Sequence, residues 1–316
     1  MNSLFSLADD ALLRILSHCS APSLGRLRGA SQQADAYVAD EFERRYRNLL
    51  HPYVHDQKAF RAQLDICSAL ISGSGSLRVT GGFDFTPGDL DIYVPSHNLF
   101  HMLGYLVHVE GYAIQAFCGA SVEGDYVGGI QRLVRLTRGS FSIDLVQSLT
   151  DAASLPIPHF WSTAVMTYLT GNTVGVLYPG LLEDRRALLN PLRLHAFAVA
   201  RIPVLVEKYT RFGFDFKERE VDWISEDGQP SQCKRTNSPS CPFTVRWIGD
   251  RFEFHASILR VRDRVGRPAA PKRKERLTSV WWRGGIPCGG DCSTDGVAIE
   301  SGIWTQPVDH VMSPSY

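Results

Sequence analysis

Asp89 and Asp91 stand two positions apart in Asp89-Leu90-Asp91-Ile92-Tyr93-Val94, a segment that alternates and is rich in strand formers. On a strand, residues i and i+2 point to one face, so the two carboxylates lie side by side while Leu90 and Ile92 point the other way. Like charges so placed repel, and a divalent cation is the simplest way to hold them. Carboxylate oxygens suit Mg²⁺ or Mn²⁺. A third acid, Asp144, sits between Ile143 and Leu145 in a second apolar run. It becomes a third ligand if the two strands are neighbours. Upstream, Ile71-Ser72-Gly73-Ser74-Gly75-Ser76 reads as a Gly/Ser turn at the end of an apolar segment. The backbone N–H groups and hydroxyls of such a turn can hold phosphate oxygens.

An apolar segment ending in Gly-Ser, followed by Asp-x-Asp on a strand and then a lone strand Asp, resembles the signature of the nucleotidyltransferase superfamily. The resemblance is carried by residues 71–148. It implies that Asp89 and Asp91 hold two metal ions, and that Asp144 helps ligate one of them and activates the attacking hydroxyl. It implies an NTP as substrate, with Gly73 and Ser74 on its β- and γ-phosphates. The pair Gly75/Ser76 stays open for that role, because Ser76 leaves twelve residues before Asp89 and Ser74 leaves fourteen. The expected reaction is attack of an acceptor hydroxyl on the α-phosphorus with loss of pyrophosphate. Lys208, Tyr209 and Arg211 are candidates for triphosphate or base contacts, or else a solvated helix face.

Several elements must position these groups. Helices are expected over residues 4–48, with Leu12, Ile15, Leu16 and Cys19 at helical spacing and further turns from Leu24 and from Ala34. Further helices are expected at 60–70 and 99–109, and strands at 89–94, 133–136 and 141–146. Beyond these, a helix at 161–168, a strand at 173–177 and helices at 182–189 and 192–212 follow from the pattern, the last kinked by Pro203. After residue 226 the chain turns Gly-, Pro- and Ser-rich, with strand-like segments at 243–248, 252–261, 278–282 and 297–304. The expected class is α+β. A helical module (1–48) precedes a nucleotidyltransferase-like mixed sheet with flanking helices (49–225) and a β-rich, partly flexible C-terminal extension (226–316).

The first helices, from Leu7-Ala8-Asp9-Asp10 through Leu12, Leu13, Ile15, Leu16, Leu24, Leu27 and Ser31, resemble an F-box, with Ala8 where that module has Pro. The resemblance implies docking of residues 4–40 on the Skp adaptor of a ubiquitin ligase through Leu7, Leu12, Ile15 and Leu16. The chain would then serve as a non-catalytic adaptor. A plain amphipathic hairpin packed on the core is the alternative. An F-box-like start joined to Pro87-Gly88-Asp89-Leu90-Asp91-Ile92-Tyr93-Val94 resembles a group of fungal proteins, which brings no substrate with it.

The 316 residues are 44% apolar and 21% charged, with 33 basic and 33 acidic side chains, so net charge points to no polyanionic or membrane partner. Asp9 and Asp10 interrupt any N-terminal apolar region, and the seven cysteines form an odd set, so an intracellular protein without a disulfide framework is expected. Cys233, Cys241, Cys288 and Cys292 are a weak zinc pattern beside the reading as scattered thiols. The basic run 260–276 is a nucleic-acid or import patch, or a solvated linker. In Trp281-Trp282, adjacent strand residues face opposite ways, so at least one ring belongs to the core rather than to a base-stacking platform.

Overall fold

The computed structural model describes residues 8–119, 128–196, 200–223, 238–259, 276–287 and 298–311. Three helices open the chain: α1 (Asp9–His18), α2 (Ala21–Arg28) and α3 (Gln32–Leu50). The Ser20 and Ser31 hydroxyls cap α2 and α3 by accepting the N–H of Ser23 and of Ala34. On α3, Val38, Phe42, Tyr46 and Leu49 recur on one stripe and are buried. α4 (Gln57–Ile66) follows, capped by Asp56 through the N–H groups of Lys58 and Ala59.

The sheet begins at β1 (Leu70–Ser72), which runs straight into α5 (Gly73–Gly81). β2 (Leu90–Val94), α6 (Leu99–His108), β3 (Ala113–Gly119), β4 (Ile130–Arg138) and β5 (Phe141–Ser148) follow. Then come β6 (Thr167–Leu169), β7 (Thr173–Val176), α7 (Pro179–Glu183), β8 (Arg186–Leu188), α8 (Ile202–Thr210) and β9 (Asp215–Lys217). The remaining elements are β10 (Arg246–Trp247), β11 (Phe254–Ser257), β12 (Leu277–Trp282), β13 (Gly302–Pro307) and α9 (Val308–Val311).

Eight strands form one mixed sheet in the order β11-β7-β6-β1-β2-β5-β4-β3, in which β2 and β5 are parallel and the other neighbours antiparallel. β10, β12 and β13 form a second sheet, and β8 with β9 a parallel pair. The architecture is the α+β, mixed-sheet arrangement with flanking helices that the sequence predicts. Period-2 alternation splits β2 and β5 cleanly. Leu90, Ile92, Val94, Ile143 and Leu145 enter the large cluster with α1–α6, and Tyr93 and Val146 enter a smaller cluster on the opposite face with Trp281.

α1–α3 share the large cluster with the sheet, Leu12, Leu16, Leu24 and Phe42 being fully buried beside Ile71, Leu77 and Leu90. Of the residues expected to dock an adaptor, Leu12 and Leu16 are covered by this chain's own core, Ile15 is exposed, and Leu7 lies outside the described residues. Buried Arg45 ties the hairpin down, donating to the carbonyls of Leu16, Cys19 and Val79. The helices behave as the amphipathic hairpin packed on the core. At the other end, β11 is an edge strand of the main sheet, so part of the expected C-terminal extension is built into the central layer.

Four local expectations are corrected. The Gly/Ser turn is the first turn of α5: its poor helix formers are overridden by burial, with the Ser76 and Thr80 hydroxyls bonded to Gly73 and Ser76 carbonyls. Residues 163–165 make a single 3₁₀ turn before β6 rather than a helix. The helix expected at 182–189 stops at Glu183, and Arg185 with φ +52° turns the chain into β8. The helix expected at 192–212 is a π turn over Leu192–Ala196 followed by α8, whose first turn contains Pro203, where the missing N–H costs nothing. Cys233, Cys288, Cys292 and residues 260–275 lie outside the described residues; Cys241 is a buried free thiol. Trp281 is buried, and Trp282 packs edge-on against Trp304. Among the described residues no helix is long and apolar enough to cross a membrane.

Because Leu16 is part of the common core, Leu16→Ala should lower global stability by about 2–5 kcal/mol in a single cooperative urea transition. A separate early transition, with the main one unmoved, would show that the hairpin folds apart from the sheet.

Candidate active site

The site grows out of one register. In the parallel pair β2–β5, Asp91 lies opposite Asp144, and in the antiparallel pair β1–β2, Ser72 lies opposite Asp91. Alternation turns Asp91 and Asp144 away from the large core. Asp89, two residues before Asp91 and just outside β2, joins them. One carboxylate oxygen from each of Asp89, Asp91 and Asp144 lies within 4.8 Å of the other two. The sequence names all three, and the fold brings them together.

Gly73 stands between β1 and α5 at φ +69°, and a Cβ there would come within 2.5 Å of Asp91 Oδ2. A glycine is therefore required on two counts, backbone conformation and room for the carboxylate. Gly73 and Ser74 border the cleft in front of the acids. Gly75 and Ser76 do not. Gly75 packs under Leu90 and Leu49, and the Ser76 hydroxyl is bonded to the Gly73 carbonyl and to Thr167. The phosphate-cradle expectation thus narrows to Gly73 and Ser74, because the second pair faces inward on the helix.

Burial raises the Asp91 pKa well above its ordinary value, and the Asp89 and Asp144 charges add to the rise; Arg201 and Arg135 oppose it. Asp89 is raised for the same reasons, burial first and then Asp144, with Arg135, Lys208 and Arg201 opposing. Asp144 is fully buried, and Arg135, its partner across β4–β5, grips it with both ends. Arg135 Nε donates to Oδ1 at 2.8 Å and Nη2 to Oδ2 at 2.5 Å. Each carboxylate has about four acceptor positions, so Asp144 retains lone pairs for another partner. Oxygens sharing one Mg²⁺ at about 2.1 Å can be no more than about 4.2 Å apart, so the trio needs only a small inward movement to share an ion. A converging set of hard oxygen donors with charge left over fits Mg²⁺ or Mn²⁺.

The cleft has a volume of about 280 Å³ and two kinds of wall. Arg193, Arg201 and Lys208 bring positive charge, and Tyr93, Phe160, Trp161 and Tyr209 bring aromatic rings. Lys208 and Tyr209 were nameable from the sequence. Arg211, the third of these candidates, lies just beyond α8, exposed and paired with Glu207. Arg193, Arg201, Phe160 and Trp161 escape a reading of the sequence. Each stands in an apolar or irregular stretch without a motif, and only the return of the chain over the sheet brings them to the acids. His159 borders the cleft as well; burial, with Arg193 adding, holds its pKa down to about 4, so the ring is neutral at pH 7.

No protein-family model matches the chain, and no curated protein matches it significantly. Among solved structures the chain is similar to a CCA-adding enzyme in complex with CTP, with 14% identity and a TM-score of 0.36 over 55% of this chain and 43% of that one. It is also similar to an apo form of a CCA-adding enzyme, with 15% identity and a TM-score of 0.35 over 54% of this chain and 42% of that one. The chain thus spans less than half the length of either. Overlap at that level transfers no residue role, and the chemistry is read from the site itself.

Two outcomes follow from this geometry. Below pH 3.8, the ordinary carboxyl value, Asp91 is protonated in both folded and unfolded chains and costs nothing. As pH rises through the raised folded value the unfolded carboxyl ionises freely and the folded one against resistance, so wild-type stability falls. In EDTA, Asp91→Asn should therefore melt higher than wild type at pH 8, with the gap closing toward pH 4. A variant that melts lower at pH 8 contradicts the electrostatic account. Gly73→Ala should cost about 1–2 kcal/mol from the left-handed backbone alone, read by denaturant titration, and unchanged stability would contradict the close approach to Asp91.

Proposed function

We propose that this chain is a metal-dependent nucleotidyltransferase that binds an NTP in the cleft and transfers its NMP to a hydroxyl acceptor. The observation that carries this reading is the convergence of Asp89, Asp91 and Asp144 beside the N-terminus of α5, with Asp89 and Asp91 bordering a cleft that has a cationic and aromatic wall and Asp144 buried behind them. Three carboxylates alone would repel a triphosphate. Carboxylates opposed by arginines and a lysine, with a helix N-terminus alongside, suit a ligand that is a polyanion with its own counter-cation.

The N–H groups at the start of α5, with the Ser74 hydroxyl, receive terminal phosphate oxygens, since a helix N-terminus presents unpaired donors and positive dipole. Arg193, Arg201 and Lys208 offset the remaining phosphate charge. The rings of Trp161, Phe160 or Tyr209 offer a face to the base. Asp89, Asp91 and Asp144 would hold a divalent ion, Mg²⁺ or Mn²⁺, which when bound supplies Lewis-acid stabilisation of the charge developing on the phosphates. The acceptor oxygen attacks the α-phosphorus, its proton passes to the Asp144 carboxylate, and the bond to the β-phosphate bridging oxygen breaks to release pyrophosphate. Arg135 pairs with the ionised Asp144 carboxylate and fixes its orientation before the proton arrives.

Thermal unfolding with Mg²⁺ or Mn²⁺ and each of the four NTPs tests the reading. Ligand at 100 times its dissociation constant should stabilise wild type by about 2.7 kcal/mol and leave Asp89→Asn/Asp91→Asn unmoved. Absence of any metal-dependent shift in wild type would overturn it.

A further inference from the structure

A second cavity, of about 360 Å³, lies at the C-terminal end of α5, lined by residues of α1, α3 and the end of α5. Among the described residues its lining is mostly basic and polar, with Phe83 the one apolar side chain. Arg14 comes from α1, Arg44 and Arg45 from α3 and Arg78 from α5, joined by His18 and Asn48. Among the described residues, the carboxylates that oppose them are Asp84 in the lining and the buried Glu41. Glu41 serves both Arg44 and Arg45, so four guanidinium charges face two carboxylates. Arg14 has no ion-pair partner among the described residues, and Arg78 donates only a long bond to the Asn48 carbonyl.

The floor of this cavity is fixed. Arg45 is 6% exposed, and each of its three nitrogens donates inward, to Glu41 and to the carbonyls of Leu16, Cys19 and Val79, locking α1, α3 and α5 together. Those bonds also cover the carbonyls at the end of α1, whose partial negative charge would otherwise repel an anion. Gly82, at φ +66°, lets the segment after α5 approach: a Cβ there would come within 2.8 Å of the Cys19 carbonyl. Above this floor Arg14, Arg44 and Arg78 stand at the walls with their side chains at least partly open to solvent.

We infer that this pocket is a second anion site, separate from the cleft, taking a small molecule that carries two or more phosphate groups. Guanidinium forks match phosphate oxygens bidentately, and three of them around one hollow call for more than one phosphate. The volume is at the low end of small-molecule sites, and the hollow is walled on three sides by helices, which suits a compact ligand better than a polymer strand. α5 joins the two sites. Its first residues border the cleft and Arg78 lies in its last turn, roughly 8 Å along the axis at about 1.5 Å per residue.

Calorimetric titration of the full chain with tripolyphosphate in EDTA tests this. Wild type should show a site whose affinity falls at least tenfold in Arg14→Gln/Arg78→Gln and is kept in Arg201→Gln/Lys208→Gln, which alters only the cleft. Each variant's unliganded melting temperature is measured first. If the double variant is unstable, Arg14→Gln alone, at an exposed position, should still weaken binding severalfold. Equal binding by wild type and the pocket variants, or a single site removed by the cleft variant, would overturn the assignment. So would binding of a single-stranded oligonucleotide that depends on Arg14 and Arg78 where tripolyphosphate does not bind.

Discussion

The parallel pairing of β2 with β5 sets Asp91 directly across from Asp144, and most of what is distinctive in this molecule answers to that placement. Carboxylates on adjacent parallel strands cannot avoid one another by alternation, because register holds both on the same face. The sheet tolerates them because the opposite face of the same strands, Leu90, Ile92, Ile143 and Leu145, is buried in the large core and holds the register. Sliding either strand by one residue would put the acids into the core and the aliphatics into the cleft.

Around this repulsion the structure arranges partial compensation. Arg135 grips Asp144 from the neighbouring strand, and Arg201 and Lys208 act on Asp89 across the cleft. The compensation is incomplete, as the raised Asp89 and Asp91 values show. A fold that leaves buried acids under-neutralised sacrifices stability in the bare protein and gains affinity for a cation or a cationic group that completes the set. The left-handed Gly73 belongs to the same arrangement, since it brings the start of α5 against Asp91 without a side chain between them.

α5 is the element that joins this centre to the rest. It leaves β1 at the carboxylates, packs under α3, and ends where Arg45 gathers carbonyls from α1 and α5. The N-terminal hairpin is therefore continuous with the scaffold of the site. The carboxylate-lined cleft at one end of α5 and the arginine-lined hollow at the other both depend on one short helix held between the sheet and α3.

The sequence by itself determined the groups whose meaning is local. Period-2 alternation disclosed β2 and the common face of Asp89 and Asp91, and the apolar run around Asp144 disclosed β5, because side-chain direction and burial along one strand are local properties. The helical repeat of Leu12, Ile15 and Leu16 in α1 was legible because spacing along one helix is likewise local. Tertiary structure alone decided the remainder. Gly73-Ser74-Gly75-Ser76 has the composition of a turn and becomes helix only because burial satisfies its hydroxyls. β3, exposed along most of its length, and β6, buried throughout, carry no period-2 signal and are strands through pairing. Arg135, Arg193, Arg201 and Trp161 acquire their roles through strand order and chain return, which bring residues distant in sequence to one cleft, and no local pattern encodes that distance.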